Sequence, residues 1–130
     1  MNEHVLDTNV LLFFVQGHRG LPRRAARLIE DPARRSVVSM ASLWEISIKS
    51  GLGKLRFEHA DDPDLPGLLR AKGFDVQPVS WAVMRRASAL PGEHRDPFDR
   101  YLAAEALSRG APILSTDPKL DLFGVERIGD

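Results

Sequence analysis

The sequence predicts an α/β fold, a parallel sheet covered by helices on both faces, and two observations lead there. Short apolar runs of strand length alternate with segments of helical periodicity. Strands separated by helices run in the same direction, pair in parallel and need cover on both faces. The chain also has 130 residues, which suits one domain spanning residues 1–130, because division would leave two cores too small to bury much surface. No internal repeat, low-complexity tract or linker-like stretch interrupts it.

The elements come in this order along the chain. Val5 and Leu6 form a short apolar start that ends at Asp7. The run 10–15 reads as a buried helix or a buried loop. Residues 21–30 are amphipathic, with Ala25, Leu28 and Ile29 opposite a set of arginines. Residues 36–39 make a short apolar strand. In 42–52, Trp44, Ile48 and Leu52 recur at i, i+4 and i+8, the apolar stripe of a helix. Trp44 and Trp81 are both expected in the core. Residues 65–72 are helical and close at Gly73, and 74–79 alternate as a strand does. Ser80 caps a helix running to Leu90. Residues 97–108 form a strong helix with Gly110 as its stop, and 112–115 and 125–128 are the last strands.

Composition removes several function classes. With 43% apolar residues and no net charge, the chain is globular rather than disordered. It has no cysteine, so disulfide frameworks and thiolate sites are excluded. The apolar run 10–15 is far too short to span a membrane, and Met1, Asn2, Glu3 and His4 lack the basic start of a signal peptide. A cytoplasmic protein is the expectation. Eighteen basic side chains against eighteen acidic ones exclude a uniformly basic nucleic-acid binder, but not local patches. Residues 17–37 hold six arginines (Arg19, Arg23, Arg24, Arg27, Arg34, Arg35) against Glu30 and Asp31, a local balance of +4. Residues 58–64 reverse the sign, with four acids and no Lys or Arg.

The chemistry is suggested by where acids fall. In an open parallel sheet, ligands bind beyond the carboxyl ends of the strands. Asp7 follows the first strand, Asp117 follows Ile113-Leu114-Ser115, and Glu45 lies in the first turns of the helix after Val37-Val38. Asp96 and Asp99 open the helix after the 91–95 loop. Five acids from separate parts of the chain therefore converge on one sheet edge. Converging carboxylates repel and raise one another's pKa, so such a cluster needs a cation. Oxygen ligation without Cys or a suitable His pair suits Mg²⁺ or Mn²⁺. Two such ions roughly 4 Å apart activate water and stabilise a leaving oxygen in phosphodiester hydrolysis. Each acid also has a structural reading. Asp7, Asp96 and Asp117 stand at N-cap positions, the latter two before proline. Ser42 and Glu45 fit a capping box, and Asp99 favours the helix dipole. Capping explains each acid singly, but not their shared edge.

Four motifs in series carry a resemblance. They are Val5-Leu6-Asp7-Thr8-Asn9-Val10-Leu11-Leu12, then Ser39-x-x-Ser42-x-Trp44-Glu45-Ile46-x-x-Lys49, then His94-Arg95-Asp96-Pro97-Phe98-Asp99-Arg100 with Leu102-Ala103-Ala104, and Ser115-Thr116-Asp117. In this order and spacing the chain resembles the PIN-domain family, and within it the VapC-type toxins of toxin–antitoxin modules. The resemblance runs from about residue 3 to the end. It implies a three-layer α/β/α sandwich with a central parallel sheet of about five strands. It implies a Mg²⁺- or Mn²⁺-dependent ribonuclease. The family's ligand positions map onto Asp7, Glu45, Asp99 and Asp117, and Asp96 is an additional acid that stands as an alternate or supporting ligand. Thr8, Asn9 and Thr116 match the family's small polar positions and would orient carboxylates or waters. Ser42 belongs to the same supporting set.

The expected reaction is hydrolysis of an RNA phosphodiester by metal-activated water, with no covalent nucleophile in evidence. Lys49, one turn after Glu45, reads either as a contact for substrate phosphate or as an i, i+4 partner of Glu45. His94 and Arg95 read as surface decoration beside the site. The arginine segment suits RNA phosphates or a docked antitoxin, or is a solvated helix face. A cognate antitoxin and a homodimer are partners that the resemblance implies. The rival readings are weaker. A degenerate PIN module that only binds partners would be expected to have lost acids, and none is lost. A receiver-type phosphoacceptor needs paired acids after the first strand and a late Lys; a dehalogenase-type phosphatase needs D-x-D, and residue 9 is Asn.

Overall fold

The computed structural model describes residues 2–129; positions 1 and 130 of the expected domain lie outside the described residues. The strands are β1 (Glu3–Leu6), β2 (Arg35–Ser39), β3 (Asp75–Gln77), β4 (Ile113–Leu114) and β5 (Arg127–Ile128). The helices are α1 (Thr8–Gln16), α2 (Arg23–Glu30), α3 (Met40–Gly51), α4 (Leu65–Ala71), α5 (Trp81–Ala89) and α6 (Pro97–Arg109). A 3₁₀ helix covers Pro118–Phe123.

The five strands form one sheet in the order β3-β2-β1-β4-β5, and every pairing is parallel. Register brings Val5 opposite Val37 and Ile113, and Leu6 opposite Leu114. Because side chains alternate across a strand, neighbouring residues serve opposite faces. Leu6, Val38, Val76, Leu114 and Ile128 pack into one core with residues of α1 to α4. Val5, Val37 and Ile113 pack into a second with α5, α6 and the 3₁₀ helix. The expected three-layer α/β/α sandwich is the observed one. The adjacent apolar pairs Val5-Leu6, Val37-Val38 and Ile113-Leu114 in the three central strands serve both faces, as a sheet buried on both sides requires.

Local chemistry explains the element ends. Asp96 and Ser80 accept backbone N–H bonds as N-caps, and Pro97 occupies the first turn of α6, where a missing N–H is harmless. Gly110 ends α6 at φ 63°, a left-handed conformation that L side chains adopt at a cost. The run 10–15 resolves as part of α1. Several strands are shorter than the sequence predicts, and the 3₁₀ helix has no counterpart among the expected elements.

One expectation fails. Trp44 is 65% exposed and Trp81 72% exposed, so neither belongs to the core. The buried arc of α3 is Ala41, Ser42, Leu43, Glu45 and Ile46, and the Trp44/Ile48/Leu52 stripe faces outward. Periodicity identifies an apolar face but not what covers it. Among the described residues, no helix is long and apolar enough to cross a membrane.

Candidate active site

The carboxyl ends of β1, β2 and β4 lie side by side, so the segments leaving these three strands meet at one edge. Asp7 comes directly after β1, α3 after β2, and Ser115 to Asp117 after β4. The N-terminus of α6 supplies the fourth side. Together they enclose a cleft of about 260 Å³ lined by Asp7, Thr8, Asn9, Glu45, Lys49, His94, Asp96, Asp99, Asp117 and Lys119. All five acids singled out in the sequence line it.

The capping readings are decided one by one. Asp7 stands at the N-cap of α1 but makes no capping bond. Its Oδ2 instead accepts from Ser115 Oγ at 2.6 Å, which aims the carboxylate across to β4. Glu45 is not part of a capping box, because the N-cap of α3 is Ser39, whose Oγ accepts from Ala41 N. Ser42 lies inside the helix and, like Glu45 Oε1 at 2.7 Å, sits in hydrogen-bonding reach of Thr8 Oγ1. Asp96 does cap α6: its Oδ1 accepts from Phe98 N and Asp99 N at 2.9 and 3.2 Å. Asp117 Oδ1 likewise accepts from Lys119 N at 3.0 Å. Each of these two acids uses one oxygen as a cap and still lines the cleft.

The electrostatics are those of crowded like charges. Burial pushes the Asp7 carboxyl up to about 7, against the Ser115 bond, and the Asp99 and Glu45 charges add to the rise. Asp99 is raised by burial, against its bond to His94, with Asp96 and Glu45 adding. Lys49 forms the i, i+4 ion pair with Glu45 and is raised by that bond. Its side chain is still 43% exposed, so it reaches solvent at the rim of the cleft.

Two residues, His94 and Thr116, stand differently from expectation. His94 is not surface decoration: its side chain is 13% exposed and Nε2 lies 2.7 Å from Asp99 Oδ2. Thr116 is exposed and does not line the cleft. Its expected role falls to its neighbour Ser115, fully buried, which bonds Asp7 and accepts from Asp117 N at 3.0 Å. Ser115 has a signal in the sequence: the last residue of a strand aimed at the sheet edge is a good place for a carboxylate partner. Asn9 is exposed and lines the cleft.

The donor set fits a divalent cation. His94, Asp99 and Asp117 each offer a ligand atom, and these atoms lie within 4.8 Å of one another. Buried carboxyls held above their ordinary range are what a site looks like when the balancing charge comes from a bound ion.

Comparison with known proteins agrees with the fold. The family model for the PIN domain matches residues 4–125. The fold is similar to that of VapBC2 from Rickettsia felis bound to a DNA fragment from their promoter, with TM-score 0.69 and 15% identity over 97% of each chain. It is similar to VapBC-1 from nontypeable Haemophilus influenzae, with TM-score 0.62 and 18% identity over 97% of this chain and 96% of that one. A toxin–antitoxin complex from Klebsiella pneumoniae gives TM-score 0.59 and 17% identity over 89% and 88% of the two chains. No curated protein matches the sequence significantly. With four acids from four segments on one sheet edge, and a family match over nearly its whole length, the chain belongs to the PIN domain family, in which ribonuclease activity is typical.

Proposed function

We propose that this chain is the toxin of a toxin–antitoxin module and a Mg²⁺- or Mn²⁺-dependent endoribonuclease acting in the cytoplasm. The observation that carries the reading is the convergence of Asp7, Glu45, Asp99 and Asp117 in one polar cleft, with Asp96 beside them. Asp7, Glu45, Asp99 and Asp117 would hold the ion, and Asp96 is the alternate ligand through the oxygen its cap leaves free. A divalent ion bound there supplies Lewis acidity: it makes a water nucleophilic at neutral pH and offsets charge on phosphate oxygens.

The chain's own residues do the positioning. Ser115 fixes the Asp7 carboxylate, and Thr8 fixes that of Glu45. The Asp96 cap sets the first turn of α6 and so the direction of Asp99. Lys49, exposed at the rim, is placed to exchange its Glu45 partner for a substrate phosphate. RNA fits as substrate because its phosphate oxygens would be ligands for a divalent ion held there.

The neighbours' own names support an antitoxin partner. On α2, Arg23, Arg24 and Arg27 are exposed and, with Arg19, have no salt-bridge partner among the described residues. They suit an acidic segment of such a partner or RNA phosphates. A homodimer is the second association we infer. Met40, Trp44 and Ile48 on α3, Phe98 against Trp44, and Trp81 with Met84 on α5 leave apolar surface exposed. Replacing Trp44 and Trp81 by Glu should convert dimer to monomer in light scattering; a wild-type monomer would refute the dimer.

The decisive assay is RNA cleavage with Mg²⁺ or Mn²⁺ by the wild type and by Asp7→Asn. Metal-dependent cleavage that the substitution abolishes supports the reading. Unchanged cleavage by Asp7→Asn, or no cleavage of any RNA by the wild type, refutes it.

A further inference from the structure

We propose that His94 supplies a nitrogen ligand, through Nε2, to the divalent ion, so that the site is a mixed nitrogen–oxygen centre that prefers Mn²⁺ to Mg²⁺. The inference rests on the divalent-ion reading above and adds to it a residue outside the acid set.

His94 Nε2 lies 2.7 Å from Asp99 Oδ2, and the ligand atoms of His94, Asp99 and Asp117 all fall within 4.8 Å of one another. An octahedral ion with bonds of about 2.1 Å holds neighbouring ligands about 3 Å apart and opposite ones about 4.2 Å apart. The His94 and Asp99 atoms already stand at coordination spacing, and the Asp117 oxygen lies within 4.8 Å of both, so a small side-chain movement brings it in. An imidazole lone pair and a carboxylate at this distance need a positive centre between them. The neutral ring donates Nε2–H to Asp99 in one tautomer and offers the Nε2 lone pair to an ion in the other.

The ring is also held in place. It stacks on Phe123, with centroids 5.9 Å apart and planes at 26°. The chain that presents it is clamped by one guanidinium. Arg100 donates to the carbonyls of Ala87, Leu90, Gly92 and His94 at 2.7 to 3.0 Å, and lies 5.3 Å over the same Phe123 ring. Four carbonyls on one side chain is more anchoring than a surface loop requires. It is the kind of support that keeps a ligand's donor atom in a fixed position. Nor is His94 needed as a counter-charge for Glu45, because Lys49 already has that place.

Donor type then sets ion preference. Mg²⁺ favours oxygen ligands and keeps its waters, whereas imidazole nitrogen suits transition ions better. One nitrogen in the shell shifts the balance toward Mn²⁺.

The test uses the full chain, stripped of metal, as wild type, His94→Gln and His94→Ala. His94→Gln keeps a hydrogen-bonding group for Asp99 and guards against loss of fold. Pulsed electron paramagnetic resonance of the Mn²⁺-loaded protein reads nitrogen coupling directly, and calorimetric titration gives affinities for Mn²⁺ and Mg²⁺. We expect ¹⁴N coupling in the wild type that is absent in both variants. We also expect Mn²⁺ affinity to fall about tenfold or more, with a much smaller change for Mg²⁺. Mn²⁺ bound without nitrogen coupling, or variants that weaken both ions equally, would overturn the His94 assignment alone. A wild type that binds neither ion would overturn the ribonuclease reading with it.

Discussion

The two ends of β1 solve opposite electrostatic problems within four residues. At its start, His4 is buried and bonded through Nε2 to Ser36 Oγ at 2.7 Å. Around it, charges alternate: Glu105 and Glu3 flank Arg109, Glu3 and Asp75 flank Arg35. At its end, Asp7 is equally buried but faces carboxylates, with Lys49, Lys119 and His94 as the basic groups lining the cleft. The first end has its charges paired across the sheet. The second gathers five acids against two lysines and a histidine, an excess that the caps made by Asp96 and Asp117 do not account for. Uncompensated charge in a buried position lowers stability and persists where it does chemical work.

The largest effect expected from breaking this contrast is on activity. Asp7→Asn should lower metal-dependent RNA cleavage by at least about a hundredfold, since loss of a mere supporting partner costs about 10–100-fold in such sites. Next comes the paired end. His4→Ala should destabilise the fold by about 2–3 kcal/mol in urea titration, because it leaves a cavity and orphans Ser36.

Asp7 has a folded pKa of about 7 against 3.8 in the unfolded chain, so the folded state holds its proton more tightly. Its contribution is present below about pH 4 and is lost as pH rises through 7. His4, held down to about 4 by burial and by the nearby Arg34, acts oppositely: stability is lost as pH falls from 6.5 toward 4. Metal-free Asp7→Asn should therefore gain on the order of 2 kcal/mol at about pH 8 and nothing at about pH 3. Thermal melts across pH check this, and a wild type that gains stability between about pH 6 and 8 would contradict it. Saturating Mn²⁺ should reverse the order of the two proteins at about pH 8, because only the native wild type binds the ion well. The smallest effect is at the exposed part of the paired end. Arg35→Met should cost under about 1 kcal/mol, because exposed ion pairs contribute little.

The difference between the two ends also explains what can be read without coordinates. The acids are legible because each follows a strand's carboxyl end or lies in the first two turns of a helix at that edge, and those positions share an edge in any parallel sheet. Which acids cap and which are free is not legible: Asp7 and Asp96 both occupy N-cap positions, and only Asp96 makes the capping bonds. His94 reads as decoration because a loop histidine has no periodicity to place it. Trp44 and Trp81 read as core on size and spacing, although neither property reports what lies opposite a helix face.

The sequence by itself determined the alternation of strands and helices, the parallel sheet and the acid set, because these arise from local periodicity and from the order of elements along the chain. Tertiary structure alone decided that Ser115 rather than Thr116 holds Asp7, and that His94 turns into the cleft under the Arg100 clamp. The Ser115–Asp7 and His94–Asp99 contacts depend on which side chains face each other across strands and loops. That is fixed by register and packing, which local sequence does not encode.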